Sequence, residues 1–215
     1  MIAGVDEAGK GAVLGPLVVA ALAAPDWEAV REVGRRDSKA LTPRQRDVLY
    51  DEIIGVLPFA VVERTAAEID SGRRTESMNA IVAGAHASAL RQLVSSGLAI
   101  RVAYLDACDV REGRYATEVG RRIGGGCTVL ASHRADSTLP IVASASIVAK
   151  VRRDRAIEAL STEYGPIGSG YPSDPVTRRF IDALLKEQAP LPSMVRASWR
   201  TISDRRPAPG QTMLV

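Results

Sequence analysis

Five short apolar runs, bounded by turn-forming or charged residues, constrain the fold of this 215-residue chain most strongly. Short runs rich in valine and leucine are typical of buried strands. The predicted strands cover residues 2–5, one or two strands within 12–24, and then 59–64, 102–105 and 128–131. Helical patterns lie between the later strands, so the sequence predicts an α/β protein with a mixed five-stranded sheet flanked by helices.

The predicted main helices cover residues 42–56, 77–93, 113–123 and 140–164. Thr42 followed by Pro43 is typical of a helix start, because threonine caps the first turn and proline fits the first helical position. The last of these helices begins with small apolar residues and becomes charged. We therefore expect its first half to be buried and its second half to lie at the surface.

The segment after residue 164 has a different composition. It holds three glycines and three prolines in eleven residues, which predicts an exposed loop. Two short helices are expected at about 175–188 and 193–201, followed by a loosely held tail. The sequence therefore predicts a main domain over 1–165 and a C-terminal loop, small helical cap and tail over 166–215.

Composition and charge exclude several classes of protein. The two cysteines, Cys108 and Cys127, form no CxxC pair, so the sequence supports neither a disulfide framework nor a zinc site. The longest apolar run is broken by Gly15 and Pro16, and the N-terminus lacks a basic flank and a cleavage site, so we expect no membrane span and a cytoplasmic location. The net charge is +3, with twelve basic against eight acidic residues between Arg134 and Arg206, which permits a nucleic-acid partner without requiring one.

The segment GVDEAGKG, residues 4–11, nearly matches a phosphate-binding loop. Two features of the sequence exclude a nucleotide-binding loop. The following residues form a strand pattern rather than the helix whose N-terminal amides would bind phosphate. In addition, Asp6 and Glu7 would lie inside the loop and repel a triphosphate.

Acidic residues instead close or follow three of the predicted strands: Asp6 and Glu7, Asp106, and Asp136. Acids at strand ends emerge at one edge of a sheet, where open α/β folds place their ligands. Because neighbouring strand residues face opposite ways, Asp6 and Glu7 can share one site only if the strand ends or bulges at Glu7. A single acid such as Asp136 is more often a helix cap, so the prediction depends on the group.

Four carboxylates at one edge would repel one another unless cations neutralise them. Oxygen ligands favour Mg²⁺ or Mn²⁺ over Zn²⁺. Two such ions about 4 Å apart support in-line attack of water on a phosphodiester. The sequence therefore predicts a two-ion site with Asp6, Glu7, Asp106 and Asp136 as metal-binding and catalytic residues.

Six motifs along the chain resemble type 2 ribonuclease H (ribonuclease HII) in its archaeal style. They are DEAGKG at 6–11, DSKALTPRQR at 37–46, LDACDV at 105–110, HRADSTLPIVASASIVAKVRRD at 133–154, GSGYPSDP at 168–175 and VRASWRT at 195–201. The resemblance implies a ribonuclease H-like catalytic domain with a C-terminal helical cap. It also implies cleavage of the RNA strand of RNA–DNA hybrids and of single ribonucleotides embedded in duplex DNA.

The resemblance assigns roles to particular residues. It places the acidic quartet on Asp6, Glu7, Asp106 and Asp136, and the glycine-basic-glycine element that contacts the ribonucleotide on Gly9, Lys10 and Gly11. The tyrosine that stacks on the sugar at the RNA–DNA junction corresponds to Tyr171. Glycine suits this role because it lets the backbone approach a 2′-hydroxyl closely.

Other residues, in segments that resemble motifs of the same family, carry weaker expectations. Lys39, Arg46, Asn79 and His133 could hold phosphates or metal-bound water, while a partly buried, hydrogen-bonded histidine describes His133 equally well. We expect Lys150, Arg152 and Arg153 on a solvated helix face, and Trp199 as a packing anchor of the cap. Arg196 and Arg200 are candidate phosphate contacts.

The resulting hypothesis is a metal-dependent endoribonuclease that leaves 5′-phosphate and 3′-hydroxyl ends. The alternatives are a DNA-directed nuclease or integrase-like enzyme on a similar sheet, and a non-catalytic hybrid-binding module. We expect a monomer with RNA–DNA hybrids and ribonucleotide-containing duplex DNA as its partners. The sequence after Asp204 carries no recognisable sliding-clamp motif.

Overall fold

The computed structural model describes residues 1–33, 42–187 and 189–205. Within these residues the strands are β1 (Ile2–Ala8), β2 (Leu17–Ala24), β3 (Phe59–Arg64), β4 (Val102–Asp106) and β5 (Thr128–Ser132). The helices are α1 (Trp27–Val33), α2 (Pro43–Val56), α3 (Ala66–Gly72), α4 (Met78–Ser95), α5 (Glu112–Ile123), α6 (Ala135–Thr138), α7 (Pro140–Tyr164), α8 (Pro175–Lys186) and α9 (Arg200–Ser203).

The five strands form one sheet in the order β3-β2-β1-β4-β5. The pairs β1 with β2 and β2 with β3 are antiparallel, whereas β1 with β4 and β4 with β5 are parallel. This confirms the predicted mixed α/β sheet. Because β1 and β4 are adjacent and parallel, their C-terminal ends lie side by side at one edge of the sheet.

Apolar clusters cover both faces of the sheet, which explains why β2 is buried at all eight positions and contains no polar residue. One face packs against α4 and α5 through residues such as Leu90 and Val119. The other face packs against α2 and α7 through residues such as Ile53 and Val148. The sheet is therefore a rigid support for the side chains at its edge.

Helix α7 lies directly on β1. A Cβ atom added at Gly4 would lie 2.5 Å from the backbone carbon and oxygen of Ile141, so only glycine permits this approach. The buried residues of α7 are concentrated between Ile141 and Arg153, which confirms the prediction that its first half is core. The predicted helix starts at residues 42 and 77 are also confirmed, since Thr42 and Ser77 accept hydrogen bonds as N-caps.

The C-terminal segment packs on the main body through a third apolar cluster. Val13 and Leu14 lie in this cluster with Ile167, Ile181 and Met194. Residues 12–16 therefore form an irregular segment under the cap rather than a strand, and β2 begins at Leu17. The division at residue 165 stays a prediction.

The predicted helix over 193–201 is wrong, because only Arg200–Ser203 is helical there. The preceding residues are held by other partners: Val195 forms an isolated bridge with Leu14, and Ser198 donates to Asp70 at 2.6 Å. Tertiary contacts thus replace helical hydrogen bonds in this segment. Across the described ranges, no helix combines the length and apolarity that crossing a membrane requires.

Candidate active site

The ends of β1 and β4 bring two acidic residues to the same height in the sheet. Val5 pairs with Leu105, so Asp6 and Asp106 follow at equivalent positions on neighbouring parallel strands. Asp106 in turn pairs with Ser132 at the end of β5, and Asp136 follows one short turn later in α6. Sheet topology therefore assembles acids that are up to 130 positions apart in the sequence.

Asp6 and Glu7 approach this edge from opposite faces of β1. The strand contains no bulge at Glu7, because its pairing with β2 continues without interruption to Ala8. Neither condition stated for a shared site, a strand end or a bulge at Glu7, is therefore met by the backbone of β1. The Asp6 side chain hydrogen-bonds Ser146 on α7, whereas Glu7 Oε2 lies 3.0 Å from His86 Nε2 on α4.

The acidic side chains interact electrostatically although their backbones face different ways. Burial raises the pKa of Asp6 well above its ordinary value of 3.8, and the charges of Glu7 and Asp106 raise this pKa further. Burial also raises the pKa of Asp106, with smaller contributions from the charges of Glu7 and Asp136. The ionised forms of Asp6 and Asp106 are therefore disfavoured at this edge, and a bound cation would relieve that penalty.

No group of three or more His, Cys, Asp or Glu side chains in the described part of the chain forms a ready-made metal site. All four carboxylates have protein partners. Asp6 accepts from the Glu7 amide at 2.7 Å and Asp106 from the Ala135 amide at 2.7 Å, Glu7 contacts His86, and Asp136 accepts from the Ser137 hydroxyl at 3.1 Å. The donor set nevertheless fits Mg²⁺ or Mn²⁺, because these ions bind one or two carboxylates and take further oxygens from water and substrate phosphate. The raised pKa values of Asp6 and Asp106 support the same conclusion.

A buried histidine that the sequence analysis did not select contacts this edge. His86 is fully buried, and its Nδ1 lies 3.1 Å from the Tyr115 hydroxyl while its Nε2 faces Glu7. A neutral imidazole with its proton on Nε2 donates to the Glu7 carboxylate and accepts from Tyr115. The one signal in the sequence was a histidine within the alanine-rich, buried pattern of α4.

The Gly9–Lys10–Gly11 turn follows β1 directly and lies beside the acidic edge. Gly9 has a φ of +90°, and its amide donates to the Tyr171 hydroxyl at 3.1 Å. Lys10 Nζ donates to the carbonyl oxygen of Cys108 at 2.8 Å, two residues beyond Asp106. The structure therefore brings Gly9, Lys10 and Tyr171 together next to the acids.

The two glycines of this turn have different surroundings. A Cβ atom on Gly9 would lie 2.5 Å from Arg153 Nε and 2.7 Å from the Pro16 carbonyl oxygen, so this glycine is required by the protein itself. Gly11 is exposed, and a Cβ atom there would meet nothing within 4 Å. The space above Gly11 is open to a ligand.

Asn79, another predicted site residue, contacts Asp109 rather than one of the four acids. Asn79 donates to Asp109 at 3.3 Å. It lies seven positions before His86 on α4, a distance of about 10 Å along the helix axis. The amide of Arg111 and the guanidinium of Arg114 lower the pKa of Asp109 to about 2. Lys39 lies outside the described residues.

Arg46 and His133 have protein partners in the structure. Arg46 lies 3.5 Å from Asp154, which links α2 to α7. His133 is half exposed, its Nε2 lies 2.7 Å from the Asp109 carbonyl oxygen, and its Nδ1 lies 3.2 Å from Glu112. The hydrogen-bonded, partly buried description of His133 therefore fits, and a contact with substrate stays a prediction.

Two expectations about arginines are wrong. Arg153, predicted on a solvated face, is only 2% exposed, and Arg196, predicted to contact phosphate, is fully buried. Lys150 lies at the surface as predicted and pairs with Asp154. Trp199 packs against the core of the main body and against that of the cap, as expected for an anchor.

The mixed sheet with acidic residues at the ends of its central parallel strands places the chain in the ribonuclease H fold class. Two solved structures are similar over nearly the whole chain. The ribonuclease HII in a PCNA complex from Archaeoglobus fulgidus has a TM-score of 0.86 at 38% identity, covering 99% of this chain and 98% of that one. The ribonuclease H2 of Pyrococcus horikoshii has a TM-score of 0.85 at 40% identity, covering 95% and 96%.

Sequence comparisons narrow the class to one family. The model of the family described as Ribonuclease HII matches residues 3–202. A ribonuclease HII from Methanospirillum hungatei is 48% identical over 204 residues, which cover 95% of this chain and 94% of the relative. The chain therefore belongs to the ribonuclease HII family, and it is a ribonuclease H enzyme that cuts RNA strands internally and acts on RNA–DNA hybrids.

Proposed function

We propose that this enzyme hydrolyses the phosphodiester at single ribonucleotides embedded in duplex DNA, as well as RNA strands of hybrids, and leaves 5′-phosphate and 3′-hydroxyl ends. One juxtaposition carries the proposal. The Gly9–Lys10–Gly11 turn is linked at one end to Tyr171 and at the other to Cys108, two residues from Asp106. A group bound over the turn is therefore adjacent to the acidic edge.

The acidic half of the site supplies the metal-binding residues of this proposal. Asp6, Glu7, Asp106 and Asp136 would hold two Mg²⁺ or Mn²⁺ ions. When bound, two such ions activate a water molecule and stabilise the leaving oxygen of an in-line displacement. The charges that raise the pKa values of Asp6 and Asp106 support this assignment, because they favour a bound cation over separate ionised acids.

The second half of the site would select the ribose. A 2′-hydroxyl is the group that distinguishes RNA from DNA at one nucleotide, and main-chain groups of the turn can hydrogen-bond to it where no side chain intervenes. The open space above Gly11 supports this role. The Tyr171 ring, whose hydroxyl is fixed by the Gly9 amide, would stack on the neighbouring sugar.

Three further residues would hold the backbone of the substrate. We propose Arg46, Asn79 and Lys39 as contacts for phosphates or for metal-bound water. The placement of Asn79 supports this assignment, since it lines a cavity of about 270 Å³ together with Asp109 and Arg114. The Arg114 side chain is 62% exposed and offers a positive charge at the mouth of that cavity.

The direct experiment uses a labelled DNA duplex that contains one ribonucleotide, incubated with Mg²⁺ and separately with Mn²⁺. We expect a single cut next to the ribonucleotide, with a 5′-phosphate on one product and a 3′-hydroxyl on the other. An all-DNA duplex of the same sequence is the negative control, and a continuous hybrid is the positive control. Equal cleavage of the all-DNA duplex would support a DNA-directed nuclease instead.

Metal removal separates the enzyme from a hybrid-binding module. With EDTA, we expect cleavage to stop while binding of the hybrid persists, because the basic and main-chain contacts do not need the ions. Family membership already favours the enzyme over the module. Cleavage that continues in EDTA would contradict the two-ion proposal.

A sliding clamp is the partner on which the sequence and a similar structure point in different directions. The sequence after Asp204 carries no recognisable clamp motif, and residues 206–215 lie outside the described residues. The similar chain from Archaeoglobus fulgidus was solved in a complex with PCNA. Comparing clamp binding by the full chain and by a chain ending at Arg205 tests both expectations, and light scattering of the full chain alone tests the predicted monomer.

A further inference from the structure

Two buried arginines lie directly behind the Gly9–Lys10–Gly11 turn and loop 168–171. Arg153 from α7 is 2% exposed, and Arg196 from the segment before α9 is 0% exposed. Arginine is rarely buried without an acidic partner, because removing its charge from water is costly. Their position behind the two segments that hold the proposed ribose contacts therefore requires a physical explanation.

Arg196 holds both ends of the segment that follows β1. Its Nη1 donates to the carbonyl oxygen of Lys10 at 3.1 Å, and its Nε donates to that of Gly15 at 3.1 Å. Its own amide donates to the Val13 carbonyl oxygen at 2.9 Å. The guanidinium also lies 5.0 Å from the centre of the Trp199 ring. One side chain thus fixes the backbone over residues 10–15.

Arg153 fills the space between that segment and the loop that carries Tyr171. Its Nη2 donates to the Ser169 carbonyl oxygen at 2.9 Å, and its Cζ lies 4.5 Å from the centre of the Tyr171 ring. A Cβ atom on Gly9 would collide with Arg153 Nε, and one on Gly170 would lie 3.0 Å from Nη2. Arg153 therefore contacts the turn, the loop and the aromatic ring together.

Packing alone does not account for this pair. Arg153 Nε and Arg196 Nη2 are buried and have no hydrogen-bond partner within the described part of the chain. Burial, with a smaller effect from the charge of Arg153, lowers the pKa of Arg196 to about 9. Apolar residues of similar volume would fill the same space with less desolvation cost. The specific contacts to Lys10, Gly15, Ser169 and Tyr171 are what such residues could not supply.

We propose that Arg153 and Arg196 are positioning residues that hold the Gly9–Lys10–Gly11 turn and Tyr171 in their ribose-binding arrangement before substrate arrives. The inference rests on the proposed function, since it assumes that this turn and Tyr171 bind the ribonucleotide. The two arginines set specificity for ribose by fixing the distance between the turn and the tyrosine ring. They have no part in metal binding.

The test measures discrimination between ribose and deoxyribose in binding. Dissociation constants are measured for a duplex with one ribonucleotide and for the same all-DNA duplex, in an Asp106→Asn background that prevents cleavage. We expect Arg153→Lys and Arg196→Lys each to reduce the preference for the ribonucleotide duplex about tenfold, because a displacement of about 1 Å in a positioned group costs up to a hundredfold. Lysine retains the charge but cannot reproduce the planar contacts.

Arg155→Ala is the matched control on the same helix. Arg155 lies over the Tyr50 ring and pairs with Asp47, away from the turn, and its side chain is 46% exposed. We expect this variant to keep the preference of the parent protein. A loss of preference in Arg155→Ala equal to that in Arg153→Lys would overturn the inference.

Amide hydrogen exchange gives a second readout that does not depend on substrate. In both lysine variants, exchange should accelerate at residues 9–15 and 167–171, including the Gly9 and Val13 amides that bond to Tyr171 and Gly170, while the sheet stays protected. Acceleration across the whole sheet would indicate a general structural role and overturn the inference, as would unchanged exchange in these segments.

The outcomes separate this inference from the proposed function. If the parent protein does not prefer the ribonucleotide duplex, the proposed function fails whatever the arginine variants do. If the parent protein prefers it and both folded lysine variants keep the same preference, the proposed function stands and the positioning role is wrong.

Discussion

The acidic edge and the Gly9–Lys10–Gly11 turn lie next to each other but differ in how their surroundings treat them: charges repel at the edge, and buried side chains stabilise the turn. At the acidic edge, Asp6 and Asp106 come from the ends of neighbouring strands, and their charges repel. At the turn, two buried arginines carry positive charge: Arg196 donates to the Lys10 and Gly15 carbonyl oxygens, and Arg153 donates to that of Ser169 in the neighbouring loop. The acidic edge therefore needs bound cations, whereas hydrogen bonds within the protein already fix the backbone of the turn.

This difference separates the chemical step from the choice of substrate. Carboxylates whose pKa values are raised by burial and by one another favour a bound cation, so the acidic edge acts only when ions are present. The turn is fixed by hydrogen bonds that reach across the chain, from Gly9 to Tyr171 and from Lys10 to Arg196. Changes at the edge should therefore abolish cleavage, and changes at the turn should weaken recognition.

The largest expected effect is the loss of cleavage in Asp106→Asn. Removing one ligand charge should lower kcat by about 10³-fold or more, since a bound ion supplies several kcal/mol of transition-state stabilisation. Binding of the hybrid should change little. Asp182→Asn on the exposed surface of α8, where Asp182 pairs with Arg205, is the control and should cleave normally. Normal cleavage by Asp106→Asn would show that Asp106 is not a metal ligand.

A smaller loss is expected in His86→Gln, because His86 orients Glu7 without reaching the ions. Loss of an outer hydrogen-bond partner typically costs about 10- to 100-fold in metal affinity or activity. We expect the Mg²⁺ concentration for half-maximal cleavage to rise, with partial recovery at high Mg²⁺. Tyr115→Phe, which keeps the ring and removes the hydroxyl that contacts His86, should show a weaker form of the same effect. An unchanged Mg²⁺ requirement in His86→Gln would remove His86 from the site.

Gly11→Ala and Gly9→Ala distinguish the two glycines of the turn, one proposed to face the substrate and one required by the protein's own packing. Gly11 has open space around it, so Gly11→Ala should melt like the parent protein yet bind a ribonucleotide duplex about tenfold less tightly, because the methyl group occupies the approach to the backbone. Gly9→Ala should lose about 1–3 kcal/mol of stability, since alanine is strained at a φ of +90° and would collide with Arg153. Thermal melts and duplex titrations measure both. Undiminished binding by Gly11→Ala would contradict the proposal that the substrate approaches the backbone at Gly11.

The smallest expected effect is a gain in stability of the metal-free protein in Asp6→Asn. The folded state raises the pKa of Asp6 above its ordinary value of 3.8, so folding favours the protonated form and loses stability as the pH rises through this interval. At neutral pH in EDTA, Asp6→Asn should therefore be more stable by about 1 kcal/mol, which is about 3 °C in Tm. The difference should shrink as the pH falls toward 3.8. A less stable variant at neutral pH would show that the hydrogen bonds of Asp6 to Ser146 and to the Glu7 amide outweigh the cost of burying its charge.

The acidic edge was largely predictable because its parts are local. An apolar run followed by an acid marks the end of a strand, and the parallel pairing of β1 with β4 then brings Asp6 and Asp106 together. At Glu7, neither the expected strand end nor the alternative bulge is present. The strand continues, and the longer side chain of Glu7 faces His86 from the other side of the sheet.

The support behind the turn was not predictable from local pattern. The second half of α7 is charged, so the sequence pattern predicts Arg153 at the surface. Arg153 is instead buried, because loop 168–171 folds over it and accepts its hydrogen bond at Ser169. Likewise, the residues before α9 have a helical pattern, but Leu14 and Asp70 hold them in an irregular conformation. Long-range contacts decided both cases, and a single sequence does not contain them.

Anomalous diffraction tests directly whether the acidic edge binds two ions. The crystals are grown from this enzyme with Mn²⁺ and a ribonucleotide-containing duplex, with the Asp106→Asn variant in parallel. We predict two Mn²⁺ peaks coordinated by the carboxylates of Asp6, Glu7, Asp106 and Asp136, beside the phosphate next to the ribose, and at least one peak lost in the variant. Mn²⁺ bound elsewhere while the duplex lies over the Gly9–Lys10–Gly11 turn would contradict a two-ion site at the acidic edge.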